Sequence, residues 1–205
     1  MPFYVLKIGG SLMGCARQLM RALSELVQEG YSFLVVPGGG PMADLVREIQ
    51  GRQGISDEAA HWMAILAMEQ YALLLADGTG FGLTKRVGRV RGIEILLPYQ
   101  ALQEDDCGLE HSWEYTSDAV AALVAQRLDA PLIKATDVDG VLLDGALAEV
   151  LPASSLLGMR SCIDQGALRL LLEGRRDAWV LNGSDPRRFV SMVRAGRGGT
   201  LILGE

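Results

Sequence analysis

Apolar positions along the chain follow two periods. Short continuous runs, Phe3-Tyr4-Val5-Leu6 and Phe33-Leu34-Val35-Val36, predict strands over 3–8 and 32–36. Leu19, Leu23, Leu26 and Val27 recur at helical spacing and predict a helix over 16–29 that stops at Gly30. A second helix follows Pro37-Gly38-Gly39-Gly40-Pro41 and runs to about Gln50. Ser56, with Asp57 and Glu58 behind it, opens a long helix to Ala76, because a hydroxyl cap and carboxylates both favour a helix N-terminus. Residues 78–92 contain five glycines and read as irregular. Beyond them come a strand over 93–97, a short helix over 98–104, a loop with Trp113, a helix over 117–128 opened by Thr116 or Ser117, and a buried strand over 132–135. An extended segment over 138–143, a helix over 164–173, a strand over 178–181, a helix over 186–195 and a strand over 200–203 complete the pattern.

Strands separated by helices of this length require crossover connections. They predict an α/β fold with a mainly parallel sheet and helices on both faces, as one domain over 1–205. Ligands in such sheets bind at the carboxyl ends of the strands. The polar and glycine-rich segments fall at those ends: Gly9-Gly10-Ser11, Gly38-Gly39-Gly40, Thr136-Asp137 and Asn182-Gly183.

Residues 59–76 form an apolar stretch near the minimum length for crossing a bilayer. His61, Glu69 and Gln70 interrupt it, and a carboxylate in mid-span costs about 2.5–3.5 kcal/mol. The segment therefore reads as a buried helix that crosses the core or lies in a subunit interface, which suggests at least a dimer and no membrane partner.

With 19 basic and 25 acidic side chains the formal net charge is −6, which argues against nucleic acid as the main partner. Cys15, Cys107 and Cys162 are far apart and lack a CxxC spacing, so they support neither a disulfide framework nor a cysteine zinc site; a reducing cytoplasm is the expected compartment. No basic segment followed by an apolar core opens the chain, so secretion is not expected.

Two glycine turns, each leading from a strand toward a helix, put bare amides at one edge of the sheet and suit phosphate. The GxxxxGK[ST] loop is absent, and Pro41 makes Gly38-Gly39-Gly40 a poor dinucleotide fingerprint. Of the 19 basic residues only Lys7, Lys85 and Lys134 are lysine. A lysine near the end of a buried strand suggests a compact ammonium reaching a phosphoryl group.

Lys7-Ile8-Gly9-Gly10-Ser11, Val36-Pro37-Gly38-Gly39-Gly40-Pro41, Thr116-Ser117-Asp118, Lys134-Ala135-Thr136-Asp137-Val138-Asp139-Gly140 and Gly199-Thr200 resemble, in order, the motifs of the amino-acid kinase family. The resemblance covers almost the whole chain. It implies a three-layer αβα sandwich, ATP with Mg²⁺ carried by the nucleotide rather than by a metal site of the protein, and direct in-line phosphoryl transfer. It also implies roles. Lys7 would hold the transferring phosphoryl, with Asp118 orienting it; Gly9, Gly10 and Ser11 would surround the ATP phosphates. Lys134, Thr136, Asp137, Asp139 and Gly140 would serve the nucleotide side, and Gly38, Gly39, Gly40, His61, Thr116 and Ser117 the acceptor side. Residues 1–115 would then be mainly the acceptor lobe and 116–205 mainly the nucleotide lobe. Several members use a second catalytic lysine from the later half, and here none follows Lys134. Lys134, an arginine such as Arg169, or the Mg²⁺ would fill that part.

Residues 60–71 and His111-Ser112-Trp113 look like a group of aspartokinase-related kinases that phosphorylate [5-(aminomethyl)furan-3-yl]methyl phosphate. The implied partner is a small phosphorylated acceptor, with uridylate, isopentenyl phosphate or carboxylate acceptors, or binding without turnover, as alternatives. His61 would meet the acceptor phosphate, although a lone histidine on an apolar helix is more often a packed core residue. Trp62 or Trp113 could stack on a ring, Asp44 and Glu69 are candidates for an ammonium, and Arg86, Arg89 and Arg91 could close over anions.

Overall fold

The structure is a computed structural model and describes residues 1–106 and 108–205. Cys107 lies outside the described residues; Cys15 and Cys162 are free thiols.

In chain order the elements are β1 (Phe3–Ile8), α1 (Ala16–Gln28), β2 (Ser32–Pro37), α2 (Gly40–Gln53), α3 (Asp57–Ala76), β3 (Gly82–Thr84), β4 (Ile93–Leu96), α4 (Pro98–Leu102), α5 (Ser117–Arg127), β5 (Leu132–Thr136), β6 (Leu142–Leu143), β7 (Ala146–Leu147), β8 (Val150–Pro152), α6 (Gln165–Gly174), β9 (Ala178–Asn182), α7 (Pro186–Ala195) and β10 (Thr200–Leu203). One eight-stranded sheet has the order β3-β4-β2-β1-β5-β9-β10-β8, and β6 and β7 form a separate hairpin. From β3 to β9 every neighbouring pair is parallel, as expected; β10 runs antiparallel to β9 and parallel to β8. The reversal follows a turn in which Gly196, Gly198 and Gly199 all have positive φ, a path that side chains would resist.

Side-chain alternation divides the core into two layers. Val5, Leu34, Val36, Leu132 and Val180 pack with α5 and α6 on one face. Leu6, Ile8, Val35, Ile133 and Leu181 pack with α1 and α7 on the other. The long α3 contributes to both: Ile65 and Met68 join the first layer, Tyr71, Ala72 and Leu75 the second. It is therefore a core helix, with Leu66 and Leu73, 41% and 54% exposed, left on its outer side.

Strand β1 is the centre of the sheet. The chain builds outward to β2, β4 and β3 on one side and to β5 and β9 on the other, so the switch point lies at the carboxyl ends of β1 and β5. The turns there are knitted by backbone bonds: Gly9 donates to the Ala135 carbonyl at 2.9 Å, Gly38 to Ile8 at 2.8 Å and Gly183 to Thr136 at 2.7 Å. Gly10 and Gly40 meet so closely that a Cβ on Gly10 would overlap the Gly40 backbone. The first turn leads into a short 3-10 segment (Gly10–Leu12) rather than straight into α1, whereas α2 starts at Gly40 itself. Pro41 fits the first turn of α2 because that position needs no N–H donor.

Gly10→Ala is expected to lower stability by about 1–3 kcal/mol, the usual cost of forcing atoms into a packed site. Gly14→Ala, whose added methyl faces open space, is the control. Urea unfolding of the two variants checks this; equal midpoints would show that the two turns can separate freely.

Candidate active site

Lys7 and Lys134 are register partners on adjacent parallel strands, so their side chains leave the sheet on the same face. Both are buried, and both end on Asp118 in the first turn of α5. Lys7 Nζ lies 2.7 Å from Asp118 Oδ1, and Lys134 Nζ donates to Asp118 Oδ2. Burial works against the Asp118 charge, but the Lys134 and Lys7 ammoniums outweigh it and hold the carboxyl well below the usual range. For Lys7 burial wins and lowers the pKa, with Asp118 opposing. Lys85, the remaining lysine, is exposed after β3, so two of the three lysines meet at one carboxylate.

Asp164 fixes this arrangement from behind. Its Oδ1 accepts from Ala167 N at 2.6 Å, capping α6. Its Oδ2 accepts from Thr116 Oγ1 at 2.6 Å, Thr116 N at 3.0 Å and Ala119 N at 3.2 Å, capping α5 as well. The Asp164 N–H in turn donates to Asp118 Oδ2 at 3.2 Å. Burial, then the charge of Asp118, push the Asp164 carboxyl upward. Asp164 is not among the residues expected at the site, although an aspartate just ahead of an apolar helix is a capping signal.

A cleft of about 170 Å³ opens next to the start of α5, bordered by Thr116 and Ser117, the residues just ahead of Asp118, while the three charged side chains themselves are not part of its lining. Its floor includes Gly10, Gly39 and Gly40, the N-terminal residues of the 3-10 segment and of α2, whose amides have no acceptor within their own helix by position. Thr116 and Ser117 border it from α5, and His61 from α3. Gly9 is buried behind the floor, where Tyr71 donates to its carbonyl at 3.3 Å. Gly38 is buried as well, and Ser11 is exposed and not part of the cleft lining.

Residues 111–113 cover the cleft. Trp113 Nε1 donates to Gln50 Oε1 of α2, and the Arg47 guanidinium lies 4.3 Å over the Trp113 ring. His111 is held by Glu58 at Nδ1 and by Asp106 at 2.7 Å from Nε2, and its ring stacks on His61 at 3.8 Å. Among the described residues, His61 Nε2 and Ser112 Oγ are buried without hydrogen-bond partners, and both residues line this cleft. Burial, then the neighbouring His111, lower the His61 pKa to about 4, so this imidazole is neutral at pH 7. Arg47, Gln50, Ser112 and the pairing of the two histidines were not legible as a site, because their meeting depends on how α2, α3 and residues 108–115 pack.

Several expectations need correction. Arg169 does not reach the triad: it pairs with Glu114 at 2.6 Å and faces the Tyr115 ring. Glu69 accepts from Gln100 and is outside the cleft lining, whereas Asp44 lines it and pairs with Arg47 at 3.2 Å. Trp62 donates to Glu58 at 2.7 Å and packs edge-on against Tyr99, outside the cleft lining, whereas Trp113 lines the cleft together with Tyr115. Arg89 bonds the Asp129 carbonyl and covers Phe3 at the amino-terminal end of β1, opposite the strand ends that carry the site, so it cannot close over an acceptor. Arg86 and Arg91 are exposed.

A second cleft, of about 230 Å³, lies between residues 138–143 and 156–162. Thr136 and Asp137 stand at the end of β5, linked at 3.2 Å. Asp139 turns toward α7, pairing with Arg188 at 3.0 Å and accepting from Asn182. Gly140 lacks a side chain because one would overlap Thr200, whose hydroxyl accepts from Val141 N at 2.9 Å and donates to Ala148 at 2.6 Å. The Gly199-Thr200 motif is thus a clasp beneath the 138–141 loop.

Asp118→Asn leaves two buried ammoniums without a counter-charge and is expected to cost about 3–5 kcal/mol. Lys134→Met retains the Lys7–Asp118 pair and should cost less. Urea titrations of both variants measure the difference; equal losses would mean that the shared carboxylate is not what holds the lysines.

The sequence profile of the amino acid kinase family matches residues 2–105 and 93–182. The chain is 34% identical over 202 residues to [5-(aminomethyl)furan-3-yl]methyl phosphate kinase of Methanocaldococcus jannaschii, covering 93% of this chain and 92% of that protein. It is 25% identical to uridylate kinase of Methanopyrus kandleri, over 98% of this chain and all of that one. Among solved structures, uridylate kinase of Archaeoglobus fulgidus shares the fold at a TM-score of 0.73 and 22% identity, over 98% of this chain and 100% of that chain. Aspartate kinase of Synechocystis shares it at 0.68 and 15%, over 99% of this chain and 40% of that larger one. With its parallel sheet, paired glycine turns and lysine–aspartate–lysine centre, the chain belongs to the amino acid kinase family of phosphotransferases.

Proposed function

We propose that the protein transfers the γ-phosphoryl group of ATP to the phosphate of a small acceptor, and that this acceptor is [5-(aminomethyl)furan-3-yl]methyl phosphate. The observation that carries the reading is the Lys7–Asp118–Lys134 centre lying beside a cleft with glycine amides at its floor and an aromatic cover. In such a transfer the bond from the terminal phosphorus to the ADP oxygen breaks as one to the acceptor phosphate oxygen forms. Charge spreads over the equatorial oxygens meanwhile, and fixed cations and amides stabilise it without a chemical base. Lys7 and Lys134 supply the cations, with Lys134 in the part of the family's later lysine, and Asp118 orients both. Gly9, Gly10 and Ser11 serve the ATP phosphates, and Gly38, Gly39 and Gly40 the acceptor side.

Thr136, Asp137, Asp139 and Gly140 frame the nucleotide side, and Mg²⁺ accompanying ATP would neutralise phosphate charge there. This division assigns acceptor binding mainly to residues 1–115 and nucleotide binding mainly to 116–205. Thr116 and Ser117 stand between the two. His61 and Ser112 present unpaired polar atoms suited to the acceptor phosphate. Trp113 offers a ring face for the furan, and Asp44 a carboxylate for its ammonium. The identity to the Methanocaldococcus jannaschii kinase supports the choice of acceptor. We further assign the protein to the cytoplasm and to a homo-oligomer, a dimer or larger, that covers Leu66 and Leu73 of α3; light scattering measures the latter, and a monomeric mass would exclude it.

Purified protein with Mg-ATP should form ADP and a diphosphate from the aminomethylfuran phosphate. Turnover on uridylate or isopentenyl phosphate alone, or hydroxylamine trapping of an acyl phosphate from a carboxylate substrate, would refute that acceptor, and silence on all would indicate a binding protein. Lys7→Ala should lower kcat by at least about 100-fold with a modest change in ATP affinity, as for loss of one transition-state donor. Trp113→Ala should raise the acceptor KM more than it lowers kcat, which steady-state kinetics will resolve.

A further inference from the structure

His61, Asp106 and His111 come from two separate elements, the second turn of α3 and the loop that covers the cleft, yet their donor atoms lie within 4.8 Å of one another. His111 Nε2 is 2.7 Å from Asp106 Oδ2, and His61 Nε2 is 3.7 Å from the same oxygen. Four-coordinate Zn²⁺, with bonds of about 2.0–2.2 Å, sets its donors roughly 3.4 Å apart, so these separations bracket what one ion needs.

Two further observations point to a ligand. His61 is only 8% exposed, and its Nε2 is buried without any hydrogen-bond partner, a costly state for a polar atom. His111 holds Glu58 on its other ring nitrogen, the carboxylate–histidine arrangement that fixes the tautomer and direction of metal-ligating imidazoles. We propose that His61, Asp106 and His111 form a site for a divalent transition-metal ion of the Zn²⁺ class in the wall of the cleft, with Glu58 as the carboxylate that orients His111.

Two imidazoles and one carboxylate select such an ion over Mg²⁺, which prefers oxygen donors, so the site is distinct from the Mg²⁺ that travels with a nucleotide. Three protein donors leave a tetrahedral ion one open position. Both histidines line the cleft, so that position is available to an anionic oxygen of a bound molecule, and in the loaded protein His61 meets the acceptor phosphate through the ion rather than directly. The two rings are now stacked with a 13° angle between their planes. A metal lies in the plane of each ligating ring, so loading tilts the imidazoles apart. The donor set does not depend on which acceptor the enzyme uses.

The test is titration of the chelator-dialysed, full-length protein with Co²⁺ in excess Mg²⁺, followed by visible d–d absorption and by the histidine ring-proton NMR signals. One equivalent of Co²⁺ should bind with the intense bands of a four-coordinate site, be displaced by one equivalent of Zn²⁺, and shift both histidines. His111→Gln, on a partly exposed ring, should abolish the bands, and Glu58→Gln should weaken binding by roughly 10- to 100-fold. Absence of saturable Co²⁺ uptake by the wild-type protein, or uptake unchanged in His111→Gln, would overturn the proposal. Kinase activity is not the readout, so this outcome is separate from the identity of the acceptor.

Discussion

Two buried ammoniums sharing one carboxylate is the constraint around which the rest of the structure is arranged. Lys7 and Lys134 are placed side by side by the register of β1 and β5, and neither could remain charged there alone. Asp118 answers both directly, with the Asp164 carboxyl standing behind it. Two ammoniums held in this way are costly to folding and useful to a kinase, whose reaction spreads charge over phosphoryl oxygens. The helix that carries Asp118 packs its apolar face on the same layer of the sheet, so the carboxylate is delivered by ordinary core packing.

The glycine turns solve a second problem. A phosphate chain can approach backbone amides closely only where side chains are absent, and here two turns must also approach each other. Gly10 and Gly40 touch, and the Cβ of any residue at 38 would lie 2.8 Å from the Gly10 nitrogen. The first turn uses a 3-10 segment and the second a helix start, so the amides reach the cleft floor from two directions.

Much of this was legible in the sequence because it depends on local rules. Strand and helix periods located β1, β2, α1, α3, α5 and β5 to within a residue or two, and the ends of those strands pointed to the edge that carries the site. Short strands were not legible: β3, with three residues, and β8, with three, have no alternation long enough to read. Nor was the direction of β10, which is set by how a glycine turn re-enters the sheet. The lysine count drew attention to Lys7, but the pairing with Lys134 needed the register. Arg169 was drawn in as a stand-in for the second lysine that the family resemblance implies and Arg89 by the basic segment around it, and tertiary packing spent them on Glu114 and on backbone carbonyls ahead of β5.

Asp164 has a consequence beyond capping. Through one side chain it grips the starts of α5 and α6, and through its own amide it touches Asp118. A shift of the 156–162 segment, which borders the second cleft and leads into Asp164, would therefore pull on the carboxylate that holds both ammoniums. The two halves of the molecule are yoked at this residue, so that whatever occupies one side helps to set the aim of the charges facing the other.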